Sequence, residues 1–197
     1  MSNKKVAFFG RRKTVHVLLT FWPLLFIYLG LPVQEEILLY ALYLTLWLLS
    51  ECVRVRYSTW TPTAPVIRAI SRSRFDGTFR RDWKRIRVPY WIIGSMLAMP
   101  FGAVPLIAAT VCLSFGDATS GMVKAALGVR SSPAGQAAMF AISAAAILAL
   151  TGNVVVACAA AGLGALGDSI NFVNDNLTIP MFSAVGAWIA LAAAPFI

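Results

Sequence analysis

Three clusters of side chains in this chain have the residue types and spacing that chemistry needs. In the first, Phe115-Gly116-Asp117-Ala118-Thr119-Ser120-Gly121 runs on through Lys124 and Gly128 to Arg130. Asp117 directly follows an uninterrupted apolar stretch. A carboxylate at that depth is expensive and needs a partner, so it is a functional candidate by default. The small residues beside it let a ligand or metal approach the backbone. Asp117, Lys124 and Arg130 together suit a metal-bound polyphosphate, with carboxylate oxygen for Mg²⁺ and cations for phosphate charge. The plainer role for Asp117 is a helix cap.

The second cluster is Asn171-Phe172-Val173-Asn174-Asp175-Asn176-Leu177-Thr178-Ile179-Pro180, just before the last apolar stretch. Its amide and acid side chains, closed by a proline, read equally well as a turn. The third is Arg12-Lys13-Thr14-Val15-His16, with the only His of the chain. A lone His at the end of an apolar stretch reads first as an interfacial residue. No GxxxxGK[ST] loop, GxSxG elbow, HExxH or His-rich metal set occurs, which disfavours a Ser-His-Asp hydrolase.

The elements that must position these clusters are membrane helices. The chain has 197 residues, 59% hydrophobic and only 13% charged, with a mean hydropathy of +0.75. A soluble domain would need roughly twice that charged fraction to cover its surface. The apolar segments are Val15 to Leu31, Ile37 to Ser50, Val88 to Met99, Val104 to Phe115, Ala137 to Thr151, Val154 to Leu166 and Ile179 to Phe196. Met99-Pro100-Phe101-Gly102, with Pro105 beyond, favours a break between the third and fourth. The expected fold is therefore all-α, a single domain over residues 1–197 forming a polytopic bundle of about seven transmembrane helices.

Charge orients that bundle. With the N-terminus cytoplasmic and the C-terminus outside, all 17 Lys and Arg residues fall on the cytoplasmic side, and only Glu35 and Glu36 lie outside. A wrong span count would scatter the arginines to both sides. The basic N-terminus resembles a signal peptide, but no small-x-small cleavage site follows before Pro32, so an uncleaved first span is expected. Cys52, Cys112 and Cys158 are isolated, which signals neither a disulfide framework nor a zinc site; they read as small residues at helix interfaces.

The basic loop at 51–87 interleaves its cations with Tyr57, Trp60, Phe75, Phe79 and Trp83. Phe79 to Arg87 suits a basic amphipathic helix on anionic lipid headgroups, and a share in binding nucleotide or lipid phosphate is the sharper reading. Nucleic acid is not an expected partner, because the patch is pressed against a membrane. Trp22, Tyr28, Trp60, Trp83, Trp91 and Trp188 are placed as interfacial anchors. Runs such as Ala144-Ala145-Ala146 and Ala159-Ala160-Ala161-Gly162 let helices approach closely in lipid.

Taken together, the clusters resemble the dolichol kinase, phytol kinase and yeast-type diacylglycerol kinase group, over nearly the whole chain. Arg12-Lys13-x-x-His16 is similar to the family's RKxxH. Gly116-Asp117-x-x-Ser120 is similar to its GDxxA, with Gly128 as the glycine that ends that motif. Ser132-x-x-Gly135 resembles an S-x-E-G element. Asp175-Asn176-Leu177-Thr178-Ile179-Pro180 resembles the DNLTxP stretch before the last helix. Lys124 stands where the family usually has glycine and Ala134 where it often has glutamate, and Asp168 falls near a second family glutamate.

The resemblance implies a kinase that phosphorylates a membrane lipid alcohol, with CTP as donor and Mg²⁺ as cofactor. It assigns Asp117 and Asp175 to the metal and Arg12, Lys13, Lys124 and Arg130 to phosphate charge. Gly116, Ser120 and Gly128 join the nucleotide site, and Asn176 would hydrogen-bond the nucleotide or metal-bound water. The general base is His16 or one of the aspartates. Polyprenol or dolichol, a phytol-like isoprenoid and diacylglycerol all suit as the lipid. A CDP-lipid synthase and a non-catalytic lipid-binding or transport protein are the competing functions. The expected location is a prokaryotic plasma membrane with the site facing the cytoplasm; the oligomeric state stays open.

Overall fold

The computed structural model describes residues 22–57, 88–129, 132–170 and 173–193. Arg12, Lys13, His16, Arg130, Asn171 and the stretch Phe79 to Arg87 lie outside the described residues, as does the start of the first expected span, residues 15–21. Among the described residues every regular element is helical. After a short helical stretch at 22–28 come α1 (Val33–Tyr57), α2 (Val88–Ala98), a 3₁₀ turn (Met99–Phe101), α3 (Ala103–Val111) and a π turn (Cys112–Gly116). Then follow α4 (Asp117–Leu127), α5 (Pro133–Thr151), α6 (Val154–Ser169) and α7 (Asp175–Ala193).

Among the described residues, four stretches are long and apolar enough to cross a membrane: Val33–Ser50, Ala103–Leu127, Pro133–Thr151 and Asp175–Ala193. Val154–Ser169 is apolar but shorter. The outward side chains fit that reading, because Leu38, Leu42, Leu46, Leu49, Ile142, Leu150 and Leu166 are all exposed. In water such a surface would be an aggregation patch; against acyl chains it needs no cover.

Several boundaries differ from those read in the sequence. Helix α1 begins at Val33, not Ile37, because the Pro32 carbonyl accepts from the Glu35 and Glu36 amides at 2.9 and 3.1 Å and so starts the first turn. Glu35 and Glu36 then lie on the positive end of the helix instead of in a turn. The same helix runs on to Tyr57, so the first residues of the basic loop are helical. A backbone ladder does not stop where hydropathy falls, and no Gly or Pro interrupts it before Pro62. The break at Met99–Phe101 is present, closed by Gly102 at φ 101°, a left-handed conformation that favours glycine.

The fourth span does not end at Phe115. Ala103–Leu127 is one continuous helical rod with the π turn in its middle, so Asp117 sits inside a helix and not at the end of one. Ser114 stabilises the turn by donating its hydroxyl to the Thr110 carbonyl at 2.7 Å. The last helix begins at Asp175, four residues before the expected start, and takes Pro180 inside it.

Helix α7 is the centre of the bundle, packed most extensively on α6 and also on α2 and α3, while α5 packs on α6 and α4. Glycines make these approaches possible. A β-carbon at Gly186 would meet the Ala159 carbonyl oxygen at 2.6 Å, and one at Gly94 would meet the Asn176 carbonyl oxygen at 2.7 Å. Without hydrophobic drive in lipid, such backbone contact supplies the dispersion that holds helices together. Trp91 is a correction: it is 5% exposed and packs its ring 5.9 Å from Tyr40, a core contact between α2 and α1, not an interfacial anchor.

Candidate functional site

Sequence position and helix geometry bring the acidic residues to one level. At the far end of the bundle the rings of Phe101 and Trp188 meet at 6.0 Å, which pins the 3₁₀ turn before α3 to α7. From that contact, at 1.5 Å per residue, Asp117 lies about 24 Å and Asp175 about 20 Å along the chain, within about one helical turn of each other. Asp168 lies about the same distance from the Gly152-Asn153 turn that starts α6. The polar end of the bundle is therefore built from α4, the start of α5, the end of α6 and the start of α7.

On α4, Asp117, Ser120 and Lys124 follow one another at helical spacing and share one stripe. Two of the three reach the same oxygen. Ser120 donates to Asp168 Oδ2 at 3.0 Å, and Lys124 Nζ bonds that oxygen at 2.5 Å. The Asp168 side chain is 5% exposed and that of Lys124 16%, so the pair is largely withdrawn from water. Burial of two charges costs solvation, which this geometry offsets by attraction and by the extra hydrogen bond from Ser120.

Glycine again makes room. A β-carbon at Gly135 would meet the Lys124 side chain at 3.0 Å, so the lysine stem lies along the first turn of α5. Beside it, Gln136 Nε2 donates to Ser169 Oγ at 2.6 Å, and Ser169 donates onward to the Ala165 carbonyl at 3.0 Å. These two cross-links, Lys124–Asp168 and Gln136–Ser169, tie α4 and α5 to the end of α6.

The start of α7 supplies the fourth wall. Asn174 accepts the Asn176 amide on its side-chain oxygen at 3.0 Å and the Leu177 amide on its carbonyl at 2.9 Å, which caps the helix. Asp175 Oδ1 also accepts the Asn176 amide, at 3.0 Å. Asn176 itself is 1% exposed, beneath Gly94 of α2. Its carbonyl is the one that Pro180, lacking an N–H, cannot bond, and the glycine lets α2 settle on that notch.

Of the residues expected at the site, Asp117, Ser120, Lys124, Asp175 and Asn176 fall at this end. Asp117 is 5% exposed and engaged by neighbouring groups. Gly116 does another job: a β-carbon there would strike Ser143 and Met139, so it admits α5. Gly128 ends α4 in a left-handed conformation, φ 72°, with the Val129 amide returning to the Lys124 carbonyl. Both glycines serve helix packing and termination in this structure. Asp168 is the residue that spacing alone passed over. Gly167-Asp168-Ser169 closes an apolar run as Gly116-Asp117 does, and that repetition was the available signal.

No group of three or more His, Cys, Asp or Glu side chains that could hold a metal occurs among the described residues. A Mg²⁺ carried by a nucleotide needs less, one or two carboxylates plus phosphate oxygens. Asp117, on α4, and Asp175, at the start of α7, are carboxylates of the type such an ion takes. Asp168 does not join them, since the Lys124 ammonium already holds its Oδ2.

Fold and site together define an all-helical integral membrane protein with a polar cluster of acid, hydroxyl and ammonium groups at one end of the bundle. No family model, curated protein or solved structure matches the chain.

Proposed function

We propose that this protein is a lipid-alcohol kinase that transfers the γ-phosphoryl group of CTP to a hydroxyl at the membrane surface. The supporting observation is the convergence of Ser120 and Lys124 on Asp168, 48 and 44 positions away, beside the Asp175-Asn176-Leu177-Thr178 start of α7. The bundle would have about seven spans, with the N-terminus and this polar end facing the cytoplasm of a prokaryotic cell and the C-terminus outside. The basic N-terminus and loop would hold anionic headgroups.

Phosphoryl transfer leaves little covalent work to a protein beyond positioning and charge. The lipid hydroxyl oxygen attacks the γ-phosphorus, the bond to the β-phosphate oxygen breaks, and CDP leaves. Asp117 and Asp175 would hold Mg²⁺, which when bound neutralises triphosphate charge. Arg130, Arg12 and Lys13 would add positive charge at the phosphates, while Lys124, expected there too, is held by Asp168. The hydroxyl proton passes to His16 or to one of the aspartates. The tail would lie against the Ala- and Gly-rich faces of α5 and α6, open to the bilayer.

The test is transfer from γ-labelled CTP, with ATP alongside, to diacylglycerol, a polyprenol and phytol in detergent with Mg²⁺. Labelled lipid phosphate that vanishes in Asp117→Asn establishes the kinase; pyrophosphate release with a phosphorylated acceptor would instead mean a CDP-lipid synthase. The Lys124–Asp168 pair favours one second reading, since it withdraws one acid and one cation from substrate. That reading, a non-catalytic lipid-binding protein, gains if neither product forms and lipid binding survives both Asp117→Asn and Asp175→Asn.

A further inference from the structure

Helix α6 presents one stripe, Ala160, Gly164 and Asp168, each four residues from the next. The rod Ala103–Leu127 meets that stripe twice. Before the π turn, Cys112 lies on it: its Sγ is 3.9 Å from the Ala160 carbonyl oxygen, and a β-carbon on Gly164 would stand 3.2 Å from the same sulfur. Beyond the turn, Ser120 and Lys124 both reach Asp168. One rod therefore has to face one stripe on both sides of the π turn.

A plain α-helix cannot do this with these residues. At 3.6 residues per turn, Ser120 and Lys124 would point about 80° and about 120° away from Cys112, and Asp117 about 140°. The π turn changes the count. The Asp117 amide bonds the Cys112 carbonyl, five residues back instead of four, so the turn takes up one residue without adding its rotation. With that residue discounted, Ser120 and Lys124 each fall within about 20° of Cys112, and Asp117 within about 40°. Burial agrees, since Cys112 and Ser120 are fully buried and Asp117 nearly so, while Phe115, inside the turn, is exposed. Phe115 is thus the residue set outside the bundle. Ser114 stitches the widened turn by donating to the Thr110 and Val111 carbonyls.

We propose that the π turn is the positioning element of the polar end, with Phe115 as the surplus residue that brings Asp117, Ser120 and Lys124 into phase with the α6 stripe. The choice of groups at this end then hangs on a single residue. One more residue in the turn would bring Thr119 and Val123 to α6 in place of Ser120 and Lys124, because each added residue turns α4 by about 100°. The inference concerns helix register and holds whether or not the chain transfers phosphate.

Its test is the coupling between the lysine and Asp168, from a double-mutant cycle of Lys→Met against Asp168→Asn on denaturation midpoints in detergent. Deletion of Phe115 leaves Cys112 and Ser120 in phase as plain α-helix, so the coupling is expected to persist at its native size. An alanine inserted between Phe115 and Gly116 is expected to abolish it, leaving the two single variants additive. In that insertion background, Val123→Lys with Lys124→Val is expected to restore it, which a merely structural effect of the insertion would not do. Additive singles in the deletion variant overturn the proposal, as does a coupling that survives the insertion at Lys124 or fails to return with lysine at position 123. Should the deletion variant not fold, the insertion and its swap decide on the same terms. Failure of all three to fold overturns the proposal too, because the deletion is expected to keep both faces of the rod on α6.

Discussion

Thr178 donates its hydroxyl to the Gly167 carbonyl at 2.8 Å, across the buried crossing of α6 and α7. A β-carbon on Gly167 would stand 3.0 Å from the Thr178 carbonyl oxygen, so the absence of a side chain there permits the approach. The same carbonyl, in the last turn of α6, also accepts the Ile170 amide at 3.3 Å, so the Thr178 hydroxyl is its second donor and fixes Asp168 beside the start of α7. Thr178→Val keeps the shape and removes the donor, and is expected to cost about 1–2 kcal/mol. Thr178→Ser should cost less. Thermal unfolding of the two variants in detergent checks the order.

Lys124 and Asp168 should behave as a coupled unit. Removing either partner leaves a largely buried charge uncompensated, at a cost of roughly 2–4 kcal/mol for Lys124→Met or Asp168→Asn alone. The double variant should be less destabilised than the sum of the two singles, because no lone charge remains. A double-mutant cycle on denaturation midpoints measures the difference, and strict additivity would show that the pair contributes nothing.

Gly186→Ala is expected to lose roughly 1–3 kcal/mol through overpacking. Its new methyl group would lie 2.6 Å from the Ala159 carbonyl oxygen, and backbone cannot step aside as a flexible side chain can. Gly162→Ala is the matched control in α6, where the nearest neighbour is Phe140 Cε2 at 3.9 Å. That substitution should be neutral or gain up to about 1 kcal/mol from helix propensity. Equal Tm values for the two would contradict the packing described.

The Tyr40 hydroxyl is buried with no hydrogen-bond partner among the described residues, although its ring packs on Phe26 and Trp91. Tyr40→Phe keeps the ring contacts and removes the unpaired group, so stability should hold or rise by about 1 kcal/mol. A clear fall in Tm would reveal a bond from that hydroxyl that this arrangement does not contain.

Asn153 caps α6 by accepting the Val155 and Val156 amides on Oδ1, each at 3.0 Å. Asn153→Ala should cost about 1 kcal/mol and Asn153→Asp much less, since aspartate is an equally good cap. Thermal unfolding of both variants separates the cap from any other role of the turn.

Composition and hydropathy alone were enough for an all-helical membrane chain, because burying backbone in lipid leaves few choices and apolar runs betray them. The Met99–Phe101 break was legible too, since Pro and Gly act locally. Helix ends were not. Glu51–Tyr57 and Asp117–Leu127 continue as helix because a hydrogen-bonded ladder persists through polar residues when nothing interrupts it, and hydropathy does not sense the ladder. The motif residues Asp117, Ser120, Lys124 and Asp175 could be singled out by type, and their meeting at one end followed from span lengths. What only the tertiary structure decided is which groups pair. Lys124 read as a free cation for phosphate, yet the crossing of α4 over the end of α6 sets it on Asp168. Gly116 and Gly135 read as motif glycines, yet one admits α5 and the other receives a lysine stem. Gly94 drew no attention, and it fits the carbonyl that Pro180 leaves unbonded. A sequence states which groups a helix carries; the angle and depth at which helices cross decide which of them meet.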